Sequence, residues 1–265
     1  MKQMTRNLFT LAGVLSLAVS LAADVAIKST GTSKVLGMSP DITSTTYVKG
    51  LKMRVDNGDG GTIKTVIFDL DSQKMYSFDS KKKEADVWDM STIAEDMAKV
   101  VNTSEIKSSI KPNGQTKQIA GKTANGYDVE IIVPFMNGGE KGMAMTMTMT
   151  GKIWVVKGAP GTADYAAFYK GAAQKGWIFQ DPKSAKASPG QAKANAKLYE
   201  QFANLGGIPY ESEMEMKASG DNPMAGLMAK AMHMQMTTTV QSVEAGSLSA
   251  DMFAPPAGYK LNLKK

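Results

Sequence analysis

Residues 143–150 read Met-Ala-Met-Thr-Met-Thr-Met-Thr. A large apolar side chain at every second position, kept up over eight residues, fits an extended strand, where alternate side chains leave on opposite faces. On a helix the four thioethers Met143, Met145, Met147 and Met149 would divide between opposite sides and pack against nothing in common. The segment therefore commits this part of the chain to a sheet. One face of that sheet carries flexible, polarisable side chains and the other carries small polar ones. Met214 and Met216 repeat the alternation, and Met232, Met234 and Met236 repeat it again. Met224 and Met228 stand four apart, the spacing of one helix face.

The rest of the chain reads as short strands separated by turn chemistry. Strands are expected at Thr43–Lys49, Leu51–Asp56, Thr62–Asp69, Lys74–Phe78 and Glu84–Trp88, with turns at Gly50 and Asn57–Gly61. This cadence argues for an antiparallel meander rather than strand–helix–strand units. Ser91 is a good N-cap for a helix with Met97, Val100 and Val101 on one side. Thr116–Lys122 and Tyr127–Pro134 are expected as a pair turned at Asn125-Gly126, the strongest short hairpin signal present. Gly142–Lys157 is one long strand. Helices are expected at Asp164–Gln174, stopped by Gly176, and at Pro189–Leu205, stopped by Gly206-Gly207. Ile208–Lys217 and Met234–Ala245 are strands, with a turn at Gly220–Pro223 and a short helical stretch to about Met232 between them. Leu248–Tyr259 reads as a turn and an extended tail.

The N-terminus reads as an export signal. Lys2 and Arg6 precede an uncharged apolar run through Val19, and Ser20-Leu21-Ala22 offers small residues for cleavage after Ala22 or Ala23. The run is about 15 residues, shorter than the roughly 20 that a spanning helix needs. Residues 1–22 are thus the expected signal and 23–265 a single mature domain, soluble in the periplasm or secreted. Without Lys2 and Arg6 the chain keeps 29 basic residues against 25 acidic ones, too weak and dispersed an excess to indicate nucleic acid. There is no cysteine, so neither a disulfide framework nor a lipid anchor is available.

The same absences remove most familiar catalysis. His233 is the only histidine, and no G-x-S-x-G, H-E-x-x-H or glycine-rich phosphate loop appears. Asp56–Gly61 resembles a calcium loop faintly, but Gly58 stands where a ligand is needed, and a hairpin turn explains it. No cofactor is expected, and the chain is read as a non-enzyme. A hydrolase using two carboxylates is the remaining catalytic form, with no pair singled out.

The methionine face has three readings. It is a core filled by Met instead of Leu or Ile. Alternatively it is a wall for an apolar or lipid-like ligand, because unbranched thioethers repack around variable chains. Met143, Met145, Met147, Met149, Met214, Met216 and Met228 would form that wall. The third reading is a copper(I) site at Met232, His233, Met234 and Met236, since thioethers are soft ligands. On a strand His233 faces away from Met232 and Met234, which works against it. Trp88, Trp154 and Trp177 are expected in packing roles. Lys81-Lys82-Lys83-Glu84 is a solvated hairpin tip or, in a sharper reading, a contact for anionic headgroups.

Several short segments resemble a family. Tyr47-Val48-Lys49-Gly50-Leu51-Lys52-Met53-Arg54 is similar to the opening hairpin of exported bacterial proteins with the DUF4412 domain. Ile119–Ala124 leading into Tyr127-Asp128-Val129 resembles their next strand pair. Trp154, then Leu205-Gly206-Gly207-Ile208-Pro209, then the tail Phe253-Ala254-Pro255-Pro256-Ala257-Gly258-Tyr259 follow in the same order. The resemblance implies a LolA/LolB-like α+β fold: a curved antiparallel half-barrel, its open side closed by a few helices, around an apolar cavity. It supplies no catalytic residues. The leading expectation is an exported binding protein for a hydrophobic or lipid-like ligand in the bacterial envelope. A structural or protein-interaction role with an envelope partner, and copper(I) binding, are the alternatives. No nucleic-acid partner and no integral membrane segment are expected.

Overall fold

The computed structural model describes residues 24–35, 41–59, 61–93, 106–137, 143–177, 189–220 and 233–264. Twelve strands form one sheet: β1 (Val25–Val35), β2 (Asp41–Lys49), β3 (Lys52–Asp59), β4 (Thr62–Asp69), β5 (Lys74–Asp79), β6 (Glu84–Asp89), β7 (Lys107–Ile119), β8 (Lys122–Asn137), β9 (Met143–Lys157), β10 (Gly207–Ser219), β11 (Met234–Ala245) and β12 (Lys260–Lys264). Their order is β12-β6-β5-β4-β3-β2-β1-β11-β10-β9-β8-β7. The sheet is curved and open, with β12 and β7 as its edges. Every pairing is antiparallel except β12 with β6. Helices α1 (Thr162–Gln174) and α2 (Pro189–Ala203) lie against one face.

Sequence dictates that inner face row by row. Val25 pairs with Val48, Val48 with Met53, Met53 with Phe68, Phe68 with Met75 and Met75 with Trp88. Six strands thus contribute one buried apolar residue each to a continuous row, and helix α1 covers it. Gly161 and Gly171 permit the close approach: a Cβ on Gly161 would stand 2.3 Å from Val25, and one on Gly171 2.9 Å from Leu51. The C-terminus of α1 closes as a Schellman motif, with Trp177 N–H donating to Ala172 O at 2.9 Å and Gly176 N–H to Ala173 O at 3.1 Å. That reversal swings Trp177 into the core, edge-on to Phe68 at 6.4 Å.

On the outer face a 3-10 turn, Ala250–Phe253, packs over β3 and β4, and Arg54 Nη1 donates to Met252 O at 3.1 Å. Phe253 is buried there. The chain then crosses to the sheet edge and adds β12.

One expectation changes, and two strands appear that the sequence reading did not include. Asn125-Gly126 is no turn but lies inside β8; the chain reverses at Ala120-Gly121, with φ 47° and 72°. Gly126 is needed because a Cβ there would sit 2.9 Å from the Trp154 ring and 2.5 Å from Asn113 Oδ1. Beyond Tyr259, where the expected tail ends, the chain adds a strand, β12. Val25–Val35 is a strand that turn signals did not reveal, joining the two ends of the meander. The signal segment, the helix expected beyond Ile93 and the stretch 221–232 with Met224, Met228 and Met232 lie outside the described residues.

Candidate functional site

Between the sheet and the two helices lies a cavity of about 330 Å³. Its floor is Ile27 and Ser29 of β1, Thr46 of β2, Ile153 of β9, Ile208–Ser212 of β10, and Thr238 and Val240 of β11. Its roof is Tyr165 and Tyr169 of α1 with Tyr199 and Phe202 of α2. The origin of the space is visible in the sequence of the floor. Ser29, Thr46, Ser212 and Thr238 are too short to reach the helices, whereas large side chains fill the β1–β6 row beside them. The volume stands at the lower end of the roughly 300–1,000 Å³ typical of small-ligand sites.

The roof is built from helical spacing. Tyr165, Phe168, Tyr169 and Ala172 occupy the inward side of α1, with Tyr165 and Phe168 buried. Tyr169 stacks on Tyr199 at 5.3 Å and 22°, and meets Tyr165 edge-on at 4.7 Å. Tyr199 in turn tilts against Phe202 at 6.2 Å. An aromatic ladder therefore fastens one helix to the other above the cavity. Burial pushes the phenols of Tyr165 and Tyr169 well up from their ordinary value and raises that of Tyr199. They stay neutral at any physiological pH. Tyr165 and Tyr169 share a hydrogen bond. Glu211, the one charged lining residue, is ion-paired with Lys117, whose ammonium lies 5.5 Å from the Trp154 ring centre. The site is therefore a neutral, largely aromatic and aliphatic chamber with hydroxyls on its floor.

The methionines lie on the same face, further along the strands. Ser212 of the cavity floor pairs with Ile153 and Thr238; two residues on, Met214 pairs with Gly151 and Met236; two further, Met216 pairs with Met149 and Met234. Each step is about 7 Å along a strand, so the thioether rows begin one step from the cavity. Met145, Met147, Met149 and Met216 are buried, and Met147, Met149 and Met216 pack with Ile131, Val133 and Leu198. Met214, Met234 and Met236 are half-buried. Gly151 interrupts the alternation where Met214 crosses: a Cβ would stand 2.0 Å from Glu213 O. None of these methionines lines the cavity itself. The side chain of Met143 lies outside the described residues, as do Met228 and Met232.

His233 does not join Met234 and Met236. Its Nε2 lies 2.8 Å from Glu215 Oε1, on the face opposite the methionine rows. Hydrogen bonds from Lys217 first, then His233, hold the Glu215 carboxyl down at about 2. Among the described residues no cluster of three His, Asp or Glu side chains could hold a metal ion.

What sequence reading missed is the tyrosine roof. Its signal was the i, i+4 pair Tyr165 and Tyr169, together with Tyr199 and Phe202 three apart on the next helix.

No family model, DUF4412 included, matches the chain, and no curated protein matches it. Solved structures that it resembles include PNGF-II, at 10% identity and a TM-score of 0.35 over 91% of this chain and 31% of that one. The chain thus spans about a third of the length of PNGF-II. A LolA superfamily protein from Nitrosomonas europaea is 5% identical, with a TM-score of 0.30 over 88% of this chain and 91% of that chain. An outer membrane lipoprotein-sorting protein domain from Vibrio parahaemolyticus is 7% identical, with a TM-score of 0.30 over 88% and 89%.

Proposed function

We propose that this chain is an exported, non-catalytic binding protein of the bacterial envelope that takes a small apolar or lipid-like molecule between its sheet and its helices. The observation that carries the reading is the chamber of about 330 Å³ under the tyrosine roof, with rows of methionine starting two residues further along the same strands. The short chamber takes one end of the ligand, and the thioether rows accept a longer chain by changing rotamers. Burial drives binding, at about 25 cal/mol for each Å² of apolar ligand surface removed from water. No group in the site has to give or take a proton.

Native mass spectrometry of the chain, purified without detergent from the cells that export it, tests this. A hydrophobic adduct is expected, and Ser212→Phe, which fills the chamber from its floor, should weaken its binding at least tenfold. An adduct-free mass that stays unchanged on adding fatty acid or phospholipid would overturn the reading. The structural alternative would then stand, favoured by one observation: Met145, Met147, Met149 and Met216 are already buried within the fold.

A further inference from the structure

The corner where β5 turns into β6 brings together exposed basic and apolar side chains. Lys81, Lys82 and Lys83 make the turn. Asp79 Oδ1 accepts from the backbone N–H of Lys81 and of Lys82 at 2.9 Å, so the turn is ordered while its ammonium groups point outward. β12 arrives beside it, with Lys260 N–H donating to Lys83 O at 2.9 Å. Lys82 and Lys260 remain 75% and 71% exposed although each has a long ion pair, with Asp79 at 3.9 Å and Glu84 at 3.6 Å, while Lys264 pairs with Asp86 at 3.0 Å.

The same corner and the edge strand running from it hold three of the four exposed large apolar side chains of the described residues. Ile63 is 47% exposed, Leu261 53% and Leu263 82%. Ile63 O accepts from Ser80 N–H at 2.8 Å, which places it against the lysine turn. Leu261 and Leu263 share one face of β12, next to the buried Ala85 and Val87. An edge strand that exposes two leucines is a liability unless something covers them.

We propose that this corner docks on an anionic bilayer surface, the leucines entering the interface and the lysines meeting phosphate headgroups. The charges select the occupant. Pairing β12 with a second copy, in either direction and in full register, sets lysine against lysine at both ends of a five-residue strand, which disfavours self-association. An acidic lipid surface satisfies the ammonium groups and the apolar pair together. The proposal stands apart from the cavity: an empty chamber leaves it intact.

Vesicle co-sedimentation tests it, using the chain in the form its own export leaves, with the N-terminus read by mass spectrometry. Vesicles of phosphatidylglycerol and phosphatidylethanolamine should bind it, phosphatidylcholine vesicles should not, and about 0.5 M salt should release it. The triple variant Lys81→Glu, Lys82→Glu, Lys83→Glu should weaken binding at least tenfold. The exposed-site pair Leu261→Ser and Leu263→Ser should weaken it about tenfold, with the circular dichroism spectrum unchanged. Equal binding to neutral vesicles, or wild-type binding by both variants, overturns the proposal. A dimer in size-exclusion chromatography that the leucine variant dissociates also overturns it, in favour of a second copy.

Discussion

The two halves of the inner face are packed by different means. From β1 to β6 the row Val25–Val48–Met53–Phe68–Met75–Trp88 lies under α1 and is sealed by Phe168 and Trp177, both at most 1% exposed. From β9 to β11 methionine comes in runs, Met147, Met149 and Met216 packing against Val129, Ile131 and Val133 of β8 with Leu198 and Phe202 of α2 above. The first row, in contrast, holds Met53 and Met75 singly between branched and aromatic residues. Branched and aromatic side chains have few rotamers and fix one arrangement, while thioethers fill whatever shape remains. The cavity lies on the seam, where inward positions fall to Ser and Thr.

Substitutions can break that comparison. Phe168→Ala should cost about 3–5 kcal/mol in urea denaturation. Met147→Leu, at a site just as buried, should cost under about 1.5 kcal/mol. Equal losses would mean that the methionine half is as tightly specified as the other. Next in size is Gly151→Ala. Its Cβ would meet Glu213 O at 2.0 Å, so β9 and β10 must part, at about 1–3 kcal/mol. Hydrogen exchange should then quicken at Met214 and Met216 and stay unchanged in β2–β5. Exchange that quickens throughout would show that the halves unfold as one unit.

Two smaller effects concern charge around the β1–β6 half. Burial raises the Asp69 carboxyl, but the Ser72 backbone N–H and Lys52, whose Nζ is 3.0 Å away, outweigh it and hold the group below its ordinary value. Its contribution is therefore present above the unfolded carboxyl pKa and is lost as pH falls. Asp69→Ala should cost about 1–2 kcal/mol at pH 7, a gap that closes below roughly pH 4. A gap that persists at low pH would assign the loss to packing.

Asp164, in the first turn of α1, runs the other way. Burial, then Asp24, pushes it up, with Lys49 opposing. Its ionised form disfavours the native state, so stability falls as pH rises from the unfolded pKa through the folded one. Asp164→Asn should raise Tm slightly at pH 7 and leave it unchanged near pH 3. No rise at pH 7 would show that Lys49 already compensates the charge.

Much of the sheet was legible. Alternation located β2 to β6, β9, β10 and β11, and glycine stops located both helices. The Asn125-Gly126 signal misled because Gly126 serves Trp154, a residue 28 positions away. β1 was hidden since Lys28, Ser29, Thr30, Gly31 and Thr32 carry little apolar alternation; its partners, β2 and β11, define it as a strand. The methionine face was found from spacing, yet the cavity wall next to it was not, because a void is a property of what fails to meet across a space.

Period and punctuation along the chain determined most of the elements, the antiparallel habit, the methionine rows and the isolation of His233, since these follow from neighbours within a few residues. Only the tertiary structure decided that β1 would join β2 to β11, that β12 would lie parallel to β6, and that four tyrosine and phenylalanine rings would roof a gap floored by serine and threonine. Those outcomes depend on contacts between residues far apart in the chain, where no local pattern records which side chains will face one another.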